Sequence, residues 1–461
     1  MQIDNSLTIA ALKPKIQTLF ELSGEKIRAL EKRWDPANGT PVFTAAGLYT
    51  TRGWTEWTQG FQFGSALLQF DATSDPWFLG YARTKVQASM APHLTHTGVH
   101  DHGFNNVSTY GNLLRLIQEG RSEASPGEIE AYRLALKCSG AVQASRWTTI
   151  ADGRGFIYSF NGPHSLFADT IRSLRSLAVA HQLGHVLLTE ADRRVSLLER
   201  LLQHASVTAD FSVYYGEGRD FYDVRGRVAH ESIFNVNDGS YRCPNSQQGY
   251  SPFSTWTRGL AWIILGYAEQ LEFLNSLADS DLDSLGGRAS IEGKLLRAGE
   301  ATCDFYIDHT CQDGIPFWDT GAPGLPFLKN YLKKPSDPAN DHEPVDSSAA
   351  AIAAQGLWRL GSYLRKFSRR HSDGRRYRQA ALKVAATLFD TPYLSTDPAH
   401  EGLILHSIYH RPRGWDSIPA GRKIPCGESS MWGDYHAREL ALMLLREAEH
   451  LPELKFFNVG K

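Results

Sequence analysis

Six similar segments recur along this 461-residue chain, and their spacing restricts the fold more than any other feature. In each, a loop with aromatic, glycine or acidic residues leads into a helix of small and apolar residues. The segments begin at Trp57, His100, Phe167, Trp256, Asp346 and Ser430. Charged amphipathic helices are predicted between them at 126–144, 190–205, 291–307 and 375–388, and before them at 8–34. An inner ring of apolar helices within an outer ring of amphipathic ones explains this alternation, so the sequence predicts an all-α (α/α)6 barrel.

No low-complexity boundary interrupts the pattern, and we expect one domain over residues 1–461. The stretch 321–344 is rich in Pro, Gly, Asp and Asn, which is typical of a long surface loop or lid. A second loop, 409–427, contains several basic residues and is expected to flank a cleft. These residues are Arg411, Arg413, Arg422 and Lys423.

The charges of the chain nearly cancel, with 48 Lys plus Arg against 50 Asp plus Glu. No overall field therefore favours nucleic acid or an anionic membrane surface as a partner. The N-terminal residues do not have the pattern of a secretory signal, and no run of about twenty apolar residues occurs. The five cysteines are scattered without CxxC spacing, which argues against a disulfide framework or a zinc site. These features together predict a soluble, cytoplasmic protein.

The stretch QGYSPFSTWTRGLAWIILGYAEQ (248–270) predicts a buried helix preceded by a polar turn. Thr255 or Ser254 is suited to cap this helix, which places Arg258 in or near its first turn. The helix dipole disfavours a cation there unless an anion faces it. Arg258 therefore predicts either an ion pair with an acid of the scaffold or a site for an anionic ligand.

Acidic residues stand near the starts of the predicted inner helices, which meet at one rim of the ring. The polar residues expected at this rim are Asp101, Asp169, Arg258, Asp346 and Asp434. Several carboxyl groups around one pocket can keep one acid protonated and another ionised near neutral pH, as general acid and base catalysis requires. The alternative for each aspartate is a simple N-cap, which needs no catalytic role.

The run HLTHTGVHDH places four histidines within ten residues, at His93, His96, His100 and His102. No cysteine or regularly spaced glutamate completes a familiar ligand set, so no metal is expected. His181 and His185 lie one turn apart without the glutamate of a zincin, and packing or surface roles are favoured. No phosphate loop, dinucleotide fingerprint or nucleophile elbow occurs, so no cofactor is expected.

Five motifs occur in a characteristic order: HDHGF (100–104), FADTIRSL (167–174), QGYSPFSTWTRGLAW (248–262), IPFWDTGAP with EPVDSSAAAIAA (315–354), and SSMWGDYHARELAL near the end. They resemble glycoside hydrolase family 88, the unsaturated glucuronyl hydrolases, over about residues 57–445. The corresponding family segments read HDxGF, IIDTxMNL, QGYSDDSTWSRGQAW, VPYWDFDAP with PRDSSAAAIAA, and WGDYYFLEALL.

The resemblance implies a catalytic (α/α)6 domain that acts on oligosaccharides left by polysaccharide lyases. Its reaction would release the terminal 4,5-unsaturated uronic acid by protonation and hydration of the vinyl ether. Asp169 would protonate C4 and then help to activate water, and Asp101 would hold that acid in the right protonation state. The implied substrate-binding residues are His100, Gln248, Arg258, Trp262 and Trp57. Neither a metal nor a cofactor would be needed.

Three departures from the family pattern leave the substrate preference open. A family histidine of the DGSTYH segment contributes to the sugar site, and Arg242, in DGSYRC (238–243), stands nearest to it and is taken as a further substrate-binding candidate. Arg172 and Ser173 replace a Met-Asn pair, and the insertion at 327–341 is unusually long. An unusual linkage or a saturated glucuronide is compatible with these changes.

Two other interpretations remain open from the sequence. The first is another (α/α)6 carbohydrate enzyme, such as a saturated β-glucuronidase, a lyase or an epimerase, because one fold hosts several chemistries. The second is a carbohydrate-binding scaffold without turnover, although a binder has no need of Asp101 and Asp169 together.

Overall fold

The computed structural model describes residues 1–53 and 56–457, and most of its regular structure is helical. The helices are α1 (Ile9–Arg33), α2 (Gln59–Thr73), α3 (Pro76–Ser89), α4 (Ala91–Leu94), α5 (His102–Asn105), α6 (Asn112–Gln118), α7 (Pro126–Ser145), α8 (Thr170–Ser173), α9 (Arg175–Gln182), α10 (Leu197–Phe211), α11 (Thr257–Leu274), α12 (Arg288–Asp308), α13 (Ser347–Lys366), α14 (His371–Leu388) and α15 (Met431–Ala448). A π-helical turn, Val107–Gly111, joins α5 to α6.

The helices alternate between an inner and an outer ring, as the repeated segments predict. The inner ring consists of α2, α5 with α6, α8 with α9, α11, α13 and α15. Helix α13 is buried at every residue from Ser347 to Leu364, which is typical of a helix covered on all sides. Helix α15 packs against α2, where the rings of Tyr435 and Phe61 lie 4.8 Å apart, and this contact closes the inner ring.

Short antiparallel strands lie between the helices: β1 (Phe43–Ala45), β2 (Leu48–Thr50), β3 (Trp147–Thr149), β4 (Gly155–Ile157), β5 (Ser165–Phe167), β6 (Leu187–Leu188), β7 (Arg194–Val195), β8 (Glu231–Phe234) and β9 (Tyr241–Asn245). Strands β5, β8 and β9 form one sheet with β8 at its centre. Residue Phe167 of β5 pairs with Glu231 of β8. Because β5 runs directly towards α8, this sheet fixes the start of that inner helix.

Two local predictions are wrong. The helix predicted at 190–205 begins only at Leu197, where the Ser196 side chain caps it by accepting a hydrogen bond from the Glu199 amide at 3.2 Å. Ala191 and Asp192 have positive φ angles, so a helix cannot run through them. Neither Thr255 nor Ser254 caps α11, because the helix begins at Thr257 and Trp256 occupies the cap position without a side-chain hydrogen bond.

Outer helix α3 belongs to no segment that the sequence pattern predicted. The other outer helices agree with the predictions to within a few residues, apart from the start of α10. Among the described residues, no helix combines the length and the apolar character needed to cross a membrane.

Candidate active site

The inner helices begin around a cavity at one end of the barrel. The residues that line it are Trp57, His100, Asp101, Phe104, Phe160, Asp169, Gln247, Gln248, Trp256, Arg258, Trp262, Tyr409, His410, Arg413 and Trp415. Most of the candidates from the sequence therefore meet at one place, although they come from segments that lie far apart in the chain.

Asp101 and Asp169 occupy the N-cap positions of α5 and α8, but neither side chain caps its helix. Asp346 differs, because its carboxylate accepts hydrogen bonds from the amides of Ser348 at 3.0 Å and Ala349 at 3.3 Å. Capping therefore explains Asp346 and does not explain the two aspartates of the cavity, whose carboxylates are available for other contacts.

The imidazole of His100 lies between these two carboxylates. Its Nε2 atom is 3.2 Å from Oδ1 of Asp169 and 3.7 Å from Oδ1 of Asp101. Gln143 holds the backbone of His100 by donating a hydrogen bond to its carbonyl at 2.9 Å. The ring of Phe160 stacks on the imidazole at a centroid distance of 5.8 Å. The Nε2 atom is thus placed to exchange a proton with Asp169, and it lies close enough to Asp101 for a charge interaction.

The pKa values of this group shift in different directions. Burial raises the pKa of Asp101 above its ordinary value. Burial also acts to raise the pKa of Asp169, but the neighbouring His100 outweighs it and the net shift is downward. Burial acts to lower the pKa of His100, yet Asp101 and Asp169 outweigh it and the net shift is upward. In the protein without substrate, a proton is therefore held more readily by His100 or Asp101 than by Asp169. A role for Asp169 as the general acid requires the opposite order.

Arg258 lies in the first turn of α11, as the sequence predicts, and its guanidinium is buried. It donates hydrogen bonds to the carbonyls of Ile408 and Tyr409 and to Oε1 of Gln248, the last at 2.7 Å. Oδ2 of Asp346 lies 3.6 Å from its Nη1 atom. Both interpretations of Arg258 thus apply to its position, because it pairs with a scaffold acid and also lines the cavity.

Aromatic side chains form the walls of the cavity. The ring of Trp57 stacks on Trp432 with centroids 5.0 Å apart. Trp262 packs against Phe104 at 4.8 Å and against His436 at 5.0 Å. Flat apolar walls beside carboxylates and an arginine are suited to binding a sugar ring that carries an anionic group.

Comparison with known proteins adds independent information to this geometry. No protein-family profile matches the chain. An unsaturated glucuronyl hydrolase of Formosa agariphila is 24% identical over 391 residues, which cover 83% of this chain and 78% of the relative. A crystal structure of an unsaturated glucuronyl hydrolase specific for heparin superposes with a TM-score of 0.71 at 18% identity, covering 96% of this chain and 99% of that one. The enzyme from Bacillus sp. GL1 gives 0.70 at 22% identity, covering 97% and 100%.

The chain is therefore similar in sequence and in fold to unsaturated glucuronyl hydrolases. The resemblance inferred from the five motifs is thereby confirmed, and so is the (α/α)6 barrel, which the solved structures share over almost the whole chain.

Some sequence candidates lie outside the cavity. Arg242 is exposed on β9 and does not line it, so the structure does not bring this residue to the other candidates. Asp434 lies in the first turn of α15, where it accepts hydrogen bonds from the Tyr49 hydroxyl at 2.7 Å and from the amides of Leu403 and Ile404. Asp434 therefore anchors a loop.

His230 is a residue that the sequence patterns missed. Its Nδ1 atom accepts hydrogen bonds from the amides of Gln247 at 3.0 Å and Gln248 at 3.3 Å, and its ring packs on Trp256 at 4.5 Å. Burial lowers its pKa to about 4, so the ring is neutral at pH 7 and can accept these bonds. The surrounding residues read as an ordinary strand, and no local signal marks His230.

The basic loop 409–427 contributes to the cavity through its first residues. Tyr409, His410, Arg413 and Trp415 line the mouth, and the carboxylate of Asp416 holds the loop by accepting hydrogen bonds from the amides of Tyr409 and His410. Arg422 and Lys423 point elsewhere. They contact Ala339 and Asp341 of the loop 321–344, at 2.9 Å and 3.2 Å.

The histidines near residue 100 have separate contacts. His93 bonds to Gln59 at 2.8 Å, and His102 bonds to Ser139 at 3.2 Å and to the carbonyl of His96 at 3.0 Å. Within residues 1–53 and 56–457, no group of three or more His, Cys, Asp or Glu side chains is arranged to hold a metal ion.

Proposed function

We propose that this protein is an unsaturated glucuronyl hydrolase, which releases a 4,5-unsaturated uronic acid from the non-reducing end of lyase-generated oligosaccharides. The observation that carries the proposal is the meeting of Asp101 and Asp169 on one nitrogen of His100, inside an aromatic cavity that also presents Arg258. The Formosa agariphila relative bears this name, and its match covers 83% of the chain, which supports the same conclusion.

The cavity provides cations for the uronate carboxylate. Arg258 lines its inner part, and Arg413 lies at its exposed mouth. The pKa of His410 is lowered to about 3 by burial, so this ring is neutral at pH 7 and does not add to the charge. Charge-assisted hydrogen bonds from arginine are the strongest neutral-pH contacts available to a carboxylate. Trp57 and Trp262 would stack on the sugar ring, and Gln248 would donate to its hydroxyls.

The proposed reaction begins with a proton on the group formed by His100, Asp101 and Asp169. A bound uronate adds negative charge beside these residues, which raises the pKa of both carboxyl groups and also that of His100. The Nε2–H group of His100 can then transfer its proton to Asp169 across their 3.2 Å contact. Asp169 then holds the proton only transiently before giving it to the substrate, which is compatible with its low pKa without substrate.

Asp169 next gives the proton to C4 of the vinyl ether, and positive charge develops on C5 and the ring oxygen. The ionised carboxylate stabilises this charge and then takes a proton from the water that adds at C5. The product is a hemiketal at C5, which opens and expels the remaining saccharide. One water molecule is consumed and one glycosidic bond is broken.

Asp169→Asn tests the proposal directly. The variant should retain sugar binding and lose nearly all of the decrease in absorbance near about 235 nm that accompanies loss of the double bond, because an amide cannot supply the proton. Unsaturated disaccharides from chondroitin, heparin, gellan, xanthan and ulvan are assayed beside a saturated glucuronide, with product masses recorded. The exposed Asp238→Asn provides a matched control. Turnover of the saturated substrate alone, or near-normal turnover by Asp169→Asn, would contradict the proposal.

A further inference from the structure

Asp169 directly precedes the short inner-ring segment that α8 and α9 form. Helix α8 has only the residues Thr170–Ser173, and α9 follows after Leu174. Leu174 also has helical φ and ψ angles, so the segment continues to Gln182, and a helix of this length is stabilised mainly by packing against its neighbours. The position of Asp169 therefore depends on what neighbouring elements hold α8.

The backbone of α8 is wedged between two glycines. A Cβ atom on Gly103 of α5 would lie 2.2 Å from the carbonyl oxygen of Ser173, and one on Gly266 of α11 would lie 2.9 Å from the amide nitrogen of Arg172. The Gly103 amide also donates to the Ser173 hydroxyl at 2.8 Å. These contacts fix how closely α8 approaches its neighbours, but they leave its relation to α15 undefined.

The side chain of Arg172 supplies that relation. Its guanidinium is fully buried, with Nε 3.1 Å from Oε2 of Glu269 on α11 and Nη2 3.3 Å from Oε2 of Glu439 on α15. Helix α11 also carries Arg258 and Trp262. Helix α15 also carries Trp432, which stacks on Trp57. The guanidinium of Arg172 thus connects three inner helices. Helix α8 follows Asp169, α11 carries Arg258, and α15 carries Trp432, which supports the aromatic wall of the cavity.

We propose that Arg172 is a positioning residue that sets the place of Asp169 relative to His100 and Arg258. Apolar residues of similar volume are often at least as stable as a buried ion pair, so stability alone does not account for this network. A hydrogen bond to Glu439 on one helix and an ion pair with Glu269 on another do restrict how α8 can shift. The effect expected on catalysis rests on the proposed function. The effect expected on the contact between Asp169 and His100 does not depend on it.

The double variant Arg172→Met/Glu439→Gln tests this inference. It removes one positive and one negative charge and leaves Arg175 beside Glu269, which lie 3.9 Å apart. The matched control is Arg359→Met/Glu272→Gln, which removes another buried pair, 2.8 Å apart, between the inner helices α13 and α11. Both variants should lose similar thermal stability. Only the first should lower kcat, by at least about tenfold, and with a smaller change in KM.

A measurement without substrate separates this inference from the proposed function. The pKa of His100, followed by NMR of its imidazole, should fall towards the ordinary value in the first variant, because Asp169 moves out of contact, and should stay unchanged in the control. An unchanged pKa in the folded double variant overturns the inference even if the wild-type protein shows no turnover. If that variant does not fold, Arg172→Lys takes its place, because lysine cannot reach both glutamates. A partial fall in the pKa of His100 in Arg172→Lys supports the inference. A pKa equal to that of the wild-type protein overturns it.

Discussion

Three aspartates at inner-helix starts have three different environments, although their sequence contexts look alike. Asp346 caps α13 and faces Arg258, whereas Asp101 and Asp169 leave their helices uncapped and face His100. The difference comes from what stands opposite each carboxylate. An acid with a backbone amide as its partner is held as a cap, and an acid beside an imidazole can exchange a proton.

His100 should determine the alkaline limb of the pH profile. Burial acts to lower its pKa, but Asp101 and Asp169 outweigh this and raise it above 6.5, so the imidazolium persists to higher pH than in an unfolded chain. We expect kcat/KM to fall as pH rises through this raised pKa, because the proton that reaches Asp169 is lost. Below the pKa that His100 has in the unfolded chain, the charged ring contributes in full to the free energy of unfolding. This contribution is lost as the pH rises through the higher pKa of the folded protein.

The variant His100→Gln should remove this limb and lower kcat/KM by about 10²-fold or more, a usual size for the loss of a proton-transfer group. Rate measurements between pH 5 and pH 9 for both proteins test this. An alkaline limb that survives in the variant would assign the titration to another group.

At the scale of elements, the close approach of α8 to α11 explains why Gly266 stands within α11, whose other residues are mostly apolar. A Cβ atom at Gly266 would lie 2.6 Å from Cγ2 of Ile171, nearer than packed atoms approach. Helix propensity favours alanine over glycine at such a position, so the packing contact must outweigh propensity. The same reason applies to Gly103 in the HDHGF motif.

Gly266→Ala should therefore destabilise the protein by about 1–3 kcal/mol, the usual cost of overpacking a core. Gly293→Ala in α12 is the control, because no atom lies within 4 Å of the added Cβ there and the gain in helix propensity remains. Denaturant unfolding of both variants measures the difference. Equal stability of the two would show that α8 yields to the added methyl group without cost.

At the scale of the whole molecule, closing two rings of helices buries many titratable groups. Burial lowers the pKa of His93, His102 and His230 to about 4 and that of His204 to about 3. Below pH 6.5 the unfolded chain takes up protons at these positions and the folded chain does not. Each such histidine costs on the order of 2 kcal/mol at pH 5.

We expect the melting temperature to fall steeply as pH decreases from 7 to 5. Burial raises the pKa of Asp319 and Asp416 to about 6, so these two groups oppose the trend by binding protons in the folded state, but they are fewer than the histidines. Circular dichroism melts at several pH values test the balance. A constant or rising melting temperature on acidification would contradict this prediction.

Much of the candidate site could be predicted from the sequence because motifs mark it. Asp101, Asp169, Gln248, Arg258 and Trp262 stand in short segments whose glycines, aromatics and polar residues are recognisable without coordinates. His230 could not be predicted, since it stands just before a strand of ordinary composition and acts on a loop that reaches it only after folding. Arg242 is a candidate only because it stands nearest to a histidine of the family segment, and on β9 its side chain is exposed.

The amino-acid sequence by itself determined the alternation of apolar and amphipathic helices, and with it the barrel, because helical periodicity is a local property of the chain. It also determined which residue types stand at the inner-helix starts. Only the tertiary structure decided which of those residues face one another, which acid becomes a cap, and where protons reside. These outcomes depend on distances of a few ångströms between segments that lie far apart in the chain, and such distances are set when the ring closes.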